Sequence, residues 1–245
     1  MHIRSFLLLA TVLAAPLSAQ GVNCALLGTF NVHGPFNDVW GYTAPNGDEY
    51  ALLGATTGTV VVDISNPSNP IERGWFPWAS STWRDIRTYG TYAYVVTEAT
   101  AGFQVIDLSN PNSPTLVGVF GNSITTNAHN VCIDVAAGKL YLVGTNVGVP
   151  VWDLVGNPAN PTYLGQASTT GFHDLCVENG YAYASHIGGG VLRILDISTP
   201  MPHSILSNTP TPNNFTHNAW PNASGNVIVT TDEQTGGVVK FFDIT

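Results

Sequence analysis

WRDIRTYGTYAYVVTEATAGFQVIDLSNPNSPTLVGVF, running from Trp83 to Phe120, holds three apolar runs of strand length, each ended by turn residues, and opens on the polar pair Arg84-Asp85. The same order of pieces returns about every 45 residues on either side of it, which makes it the unit of a repeat architecture. One copy begins at Asn37-Asp38-Val39 and continues through EYALLGA, GTVVVDIS, NPSNP and IERGWF. A third reads AHNVCIDVAAG, KLYLVGT, VPVWDL, NPANP and TYLGQA. The fourth reads FHDLCVENG, YAYASH, GGVLRILDIS and TPMP, with a degenerate last strand around His203 to Leu206. The fifth reads THNAWPNASG, NVIVTTDE and GGVVKFFDIT. Each complete unit supplies four short strands in a meander.

The third strand of every unit ends in an aspartate: Asp63, Asp107, Asp153, Asp196 and Asp243. An Asp at that place accepts hydrogen bonds from backbone N–H groups and starts the turn that the following prolines fix; metal binding by these five is the alternative. The fourth strand has its own signature, in Thr115-Leu116-Val117-Gly118-Val119-Phe120 and in Thr162-Tyr163-Leu164-Gly165. It occurs once more ahead of the first unit, in Ala25-Leu26-Leu27-Gly28-Thr29-Phe30, while the last unit has three strands and no fourth. Pairing residues 25–30 with the last unit closes a ring and removes the exposed sheet edges of an open array. The expected fold is therefore all-β, a β-propeller of five four-stranded blades closed by the N-terminal strand.

The first residues, MHIRSFLLLATVLAAPLSAQ, have a basic start at Arg4, an apolar run and a small-residue exit at Leu17-Ser18-Ala19. That pattern reads as a secretory signal peptide over residues 1–19, too short to span a membrane, and leaves residues 20–245 as a single propeller domain. The expected location is outside the cell or at its surface, with the periplasm as a further compartment. With 7 basic and 16 acidic residues the chain lacks the clustered Lys/Arg that nucleic acid or an anionic membrane requires. A protein or glycan partner, a cationic ligand or a metal stays open, and the expected state is a monomer. Of three cysteines, Cys132 and Cys176 hold equal places in consecutive units; a bridge between them is conceivable in an oxidising compartment, and two small buried side chains are the simpler reading.

Several motifs then stand in a recognisable order: Asp38-Val39-Trp40-Gly41-Tyr42 with Glu49-Tyr50-Ala51-Leu52, Ser81-Thr82-Trp83-Arg84-Asp85-Ile86, Ala128-His129-Asn130, Phe172-His173-Asp174 and Thr216-His217-Asn218-Ala219-Trp220. With the repeated Val-Val-Asp-Ile-Ser-Asn-Pro type segments, they make residues 24–245 resemble the LVIVD-repeat proteins, specifically the secreted bacterial group called choice-of-anchor B proteins. The resemblance implies a propeller at the cell surface or outside the cell, with no reaction established for the group. Such members usually carry about two further blades and often a C-terminal sorting segment. This sequence is thus either a compact five-bladed member, the expectation adopted here, or an incomplete reading.

Aligning the starts of the innermost strands gives one column, Asn37, Arg84, His129, His173 and His217, and beside it a second, Asp38, Asp85, Asn130, Asp174 and Asn218. Innermost strands surround the central channel, so these residues are expected in a ring at one mouth. The Asp/Asn column reads first as a device that hydrogen-bonds the next blade and holds the ring in register. The histidines are the candidate ligand or divalent-metal residues, since imidazole titrates near neutrality and is the commonest metal ligand. Arg84 stands as an anion-seeking exception. Asp232-Glu233 is a weaker candidate for calcium, and Trp75, Trp78 and Trp83 for an aromatic sugar platform. No Gly-x-Ser-x-Gly elbow or cysteine nucleophile is present. The expected function is non-catalytic binding or interaction, and the alternative is a metal-dependent hydrolase or lyase working at the channel mouth.

Overall fold

The computed structural model describes residues 24–245; the signal-like segment, residues 1–19, lies outside them. Five antiparallel sheets follow one another along the chain. Blade 1 is β1 (Phe36–Thr43), β2 (Glu49–Ala55), β3 (Gly58–Asp63) and β4 (Ile71–Pro77). Blade 2 is β5 (Arg84–Tyr89), β6 (Tyr92–Thr97), β7 (Phe103–Asp107) and β8 (Thr115–Phe120). Blade 3 is β9 (Asn130–Asp134), β10 (Lys139–Val143), β11 (Val149–Asp153) and β12 (Thr162–Ser168). Blade 4 is β13 (Asp174–Glu178), β14 (Tyr181–His186), β15 (Val191–Asp196) and β16 (Ser204–Pro210), and blade 5 is β17 (Thr216–Pro221), β18 (Val227–Asp232) and β19 (Val239–Asp243). The strand order in each sheet is the chain order, so every blade is a meander. No helix of the described residues is long and apolar enough to cross a membrane.

Strand alternation explains how blades join. Successive residues of β6 point to opposite faces of the sheet: Ala93 and Val95 pack with Tyr42, Tyr50, Leu52 and Val61 of blade 1, while Tyr94 and Val96 pack with Val131, Leu140, Leu142 and Trp152 of blade 3. Tyr141, Val143 and Val151 meet Leu175, Ala182 and Ala184 between blades 3 and 4, and Tyr183 and Leu192 meet Ala219 and Ile228 between blades 4 and 5. The core is therefore a series of inter-blade layers. One cavity is lined by Trp40 of β1, Arg87 of β5, Cys132 of β9, Cys176 of β13 and Trp220 of β17, so all five innermost strands face a common channel.

The five turn aspartates do what their sequence position predicts. Asp63, Asp107, Asp196 and Asp243 each accept the backbone N–H two residues on, and Asp153 accepts that of Gly156. Cys132 and Cys176 are free thiols, and burial pushes the Cys176 thiol up to about 12.

Ring closure differs from the expectation. Residues 25–30 form no strand and do not pair with β19, whose sheet has three strands. They lie instead beside Ala51, Leu53, Val62 and Ile64 of blade 1, close enough that a Cβ on Gly28 would meet the Pro67 carbonyl. The contact is loose, since Leu26 and Leu27 are 87% and 61% exposed. The inter-blade layers set the stability. Phe103 is fully buried and meets Trp152 edge-on, with ring centroids 5.2 Å apart. Phe103→Ala should lower the unfolding free energy by about 3–5 kcal/mol, read as a shift of the urea midpoint.

Candidate channel-mouth site

Residues of the Asp/Asn column link neighbouring blades. Asp85 Oδ2 accepts the Val131 N–H of blade 3 at 2.8 Å, and its Oδ1 takes the Ile86 N–H and the Arg87 guanidinium. Asn130 donates to the His173 carbonyl of blade 4 at 2.9 Å. Asp174 accepts the Leu175 N–H on Oδ1 and the Asn218 side-chain amide of blade 5 on Oδ2, at 2.8 and 2.6 Å. Asp38 Oδ2 is buried without a hydrogen-bond partner, and burial raises its carboxyl above the ordinary value. Three of these residues thus tie blade to blade, and the column is largely absorbed by architecture.

Arg84 departs from its expected role. It is 3% exposed, and its guanidinium donates to the carbonyls of Ala55, Thr56 and Ala79, which sit at the β2–β3 turn and in the crossover between blades. It lies over the Trp78 ring at 5.7 Å. Buried carbonyls at a turn need donors, and Arg84 supplies them, so its charge does not line the pocket. Asn37 likewise donates across, to the Ser81 carbonyl.

The three histidines do converge. The His129 and His173 rings lie 4.5 Å apart between centroids, and those of His173 and His217 lie 4.3 Å apart, which makes a ladder across blades 3, 4 and 5. They line a cavity of about 400 Å³ together with Trp83, Glu98, Thr145, Phe172, Ile187 and Glu233. His129 Nδ1 is 2.6 Å from Glu98 Oε1, and His217 Nε2 is 3.6 Å from Glu233 Oε2, so a carboxylate stands at each end of the ladder. Burial first, then the neighbouring imidazoles, hold His173 below the ordinary histidine value, so it is neutral at pH 7.

The expected metal trio of His129, His173 and His217 is not the tightest grouping. One ligand atom from each of His173, His217 and Glu233 lies within 4.8 Å of the others. Glu98 and Glu233 were missed as a pair, although a signal existed: each directly follows the second strand of its blade, as Gly144 and Ile187 do in blades 3 and 4. Asp232 belongs to the frame, accepting the Thr211 hydroxyl and the Asn213 N–H. The tryptophans form no common platform. Trp75 stacks on His33 at 4.0 Å, Trp78 packs on the first core layer, and Trp83, 54% exposed, stands alone beside His129.

Comparison with known families now bears on these blades. The LVIVD repeat matches residues 48–76, 82–121 and 172–207, falling within blades 1, 2 and 4. Three stretches of the chain thus match the LVIVD repeat. Arg84-Asp85 and His173-Asp174 stand at the starts of two matched LVIVD repeats, whereas His129 and His217 lie outside the matched stretches. No curated protein sequence matches the chain. Among solved structures it is similar to a functionally unknown protein from Desulfotomaculum acetoxidans, at 14% identity and TM-score 0.65 over 86% of this chain and 66% of that one. It is similar also to the periplasmic gluconolactonase PpgL of Pseudomonas aeruginosa, at 14% identity and TM-score 0.58 over 83% of this chain and 70% of that one. Dihydro-heme d1 dehydrogenase NirN matches at 12% identity and TM-score 0.61 over 85% of this chain, which spans 45% of that protein. At such identities the likeness shows the fold alone.

The tie made by Asp85 carries a pH dependence. Burial pushes its carboxyl up to about 7, against the pull of Arg87 and with the help of Asp38. Between about pH 4 and pH 7 the native carboxyl holds a proton that the unfolded chain has released. Its contribution to stability is therefore full below that window and declines as pH rises through it. The urea midpoint should fall between pH 4.5 and 7.5, and Asp85→Asn should flatten this part of the slope while lowering stability at pH 4.5 by about 1–3 kcal/mol.

Proposed function

We propose that the protein is a secreted or cell-surface propeller that binds a ligand at the channel mouth without turning it over. The observation that carries this reading is the ladder of His129, His173 and His217 facing a cavity of about 400 Å³. Ligand sites are concave and hold a few convergent polar groups against apolar walls. Here the polar groups are imidazoles and the carboxylates of Glu98 and Glu233, and the walls are Trp83, Phe172 and Ile187. An exposed tryptophan beside imidazoles and carboxylates suits a neutral or cationic ligand, such as a glycan or a basic peptide. Among the described residues, no nucleophile with an adjacent base and an orienting third group lines this cavity to support acyl transfer. The location outside the cell rests on the N-terminal signal pattern.

A second reading, a hydrolase or lyase using a metal-activated water, is favoured by one observation, the grouping of His173, His217 and Glu233. The two readings separate by assay. Binding to a glycan and basic-peptide array should fall about two- to tenfold in Trp83→Ala, the scale of losing one stacked aromatic contact, with no hydrolysis of lactone, ester or phosphomonoester substrates above the rate in buffer. Turnover of any of these that disappears in His173→Ala would replace the first reading with the second.

A further inference from the structure

We infer that the channel mouth takes a divalent transition-metal cation of the zinc class on His173, His217 and Glu233. The inference rests on the channel mouth being the binding site, and it names what occupies one end of it. Three features of the site carry it.

The first is proximity: one ligand atom of each residue lies within 4.8 Å of the other two, across blades 4 and 5. Zinc bonds of about 2.0–2.1 Å place tetrahedral ligands roughly 3.3 Å apart; His217 Nε2 and Glu233 Oε2, at 3.6 Å, are near that spacing, and the wider separations, up to 4.8 Å, must close. Glu233 follows the end of β18 and its side chain is 59% exposed, which leaves it free to make that movement.

The second is the hydrogen bonding of the rings. His217 Nδ1 lies 2.6 Å from Asn218 Oδ1, and His173 Nδ1 lies 3.3 Å from the His217 carbonyl oxygen. Both acceptors require N–H at Nδ1, which leaves the lone pair of each neutral ring on Nε2. His217 Nε2 is the nitrogen that faces Glu233. Asn218 is held in turn by its donation to Asp174, which also accepts the Leu175 N–H. Ligating histidines characteristically bind a carbonyl or carboxylate through the second ring nitrogen, which fixes tautomer and orientation. Here that outer set is already assembled.

The third is donor type. Two imidazoles and one carboxylate suit zinc-like cations, whereas calcium and magnesium demand oxygen ligands. Three protein ligands would leave a fourth position open to water or a ligand. His129 is not a ligand in this arrangement; its Nδ1 is committed to Glu98 at the opposite end of the ladder.

Calorimetric titration of EDTA-treated, dialysed protein with zinc chloride tests the site, with cobalt(II) absorption as a readout of coordination. One equivalent should bind, magnesium should give no heat, and Glu233→Gln and His217→Gln should each weaken binding at least about tenfold, the lower end of what removing even an outer partner does. Glu72→Gln, on β4 of blade 1 and outside the cavity, should bind as the wild type does. Absence of zinc binding to folded wild-type protein overturns the inference, as does binding unaffected by both substitutions. Array binding that persists in EDTA alongside either result leaves the binding reading intact and removes the metal alone. Zinc binding with a silent array supports the metal and removes that reading.

Discussion

A blade of this propeller is apolar on both faces, and neither face can be buried within the blade itself. Tyr94 and Val95, neighbours on one strand, point into two different inter-blade layers. The unit of stability is therefore the junction between blades, and each junction needs a register as well as a layer of apolar contacts. Apolar packing is non-directional, so it holds two sheets together without fixing how far one slides along the other. The polar ties at the channel fix it. Asp85 to Val131, Asn130 to His173, and Asp174 to Asn218 each join one innermost strand to the next. These groups are sheltered from water, where a lost partner leaves a desolvated donor or acceptor behind.

Once the ties are fixed, the residue just before each of them is placed at the channel mouth whatever its type. That position is free to vary because neither the layers nor the ties depend on it. Blade 2 uses it for Arg84, which turns away from the channel to serve three carbonyls. Blades 3, 4 and 5 use it for histidine, and the repeat spacing then stacks three imidazoles at 4.3–4.5 Å. Repetition that serves folding thus concentrates titratable groups on one side of the mouth, while the side nearest Arg84 and Trp78 is filled by structure. The site is asymmetric for that reason.

Much of this was legible in the sequence because it repeats. Each turn aspartate, each strand and the convergence of His129, His173 and His217 follow from aligning five copies of one unit. What alignment could not supply is where a side chain turns after its backbone is placed. Arg84 and His129 share a column, yet one is long enough to reach the β2–β3 turn and the other stays at the mouth. Glu98 was not singled out, and Glu233 only as half of the Asp232-Glu233 pair, because each follows the second strand of its blade and only the hairpin brings it beside the first. The pairing expected of residues 25–30 was argued from likeness to a fourth strand, but an apolar pattern does not name its partner, and the segment lies beside blade 1.

Blade 5 combines the least burial with two of the three candidate metal ligands. Its layer against blade 4 draws mainly on Ala219 and Ile228, the smallest of the four junctions, and Phe241 on its outer strand is 70% exposed. A sheet held on one face by few contacts opens and shifts at lower free energy than one held on both. His217 and Glu233 ride on that sheet, whereas His173 rides on blade 4, which is packed on both faces. The distance between the two halves of the grouping is therefore set by the most compliant junction in the molecule. The tie from Asn218 to Asp174 crosses that same junction, so the contact that holds blade 5 to blade 4 lies next to His217 and His173.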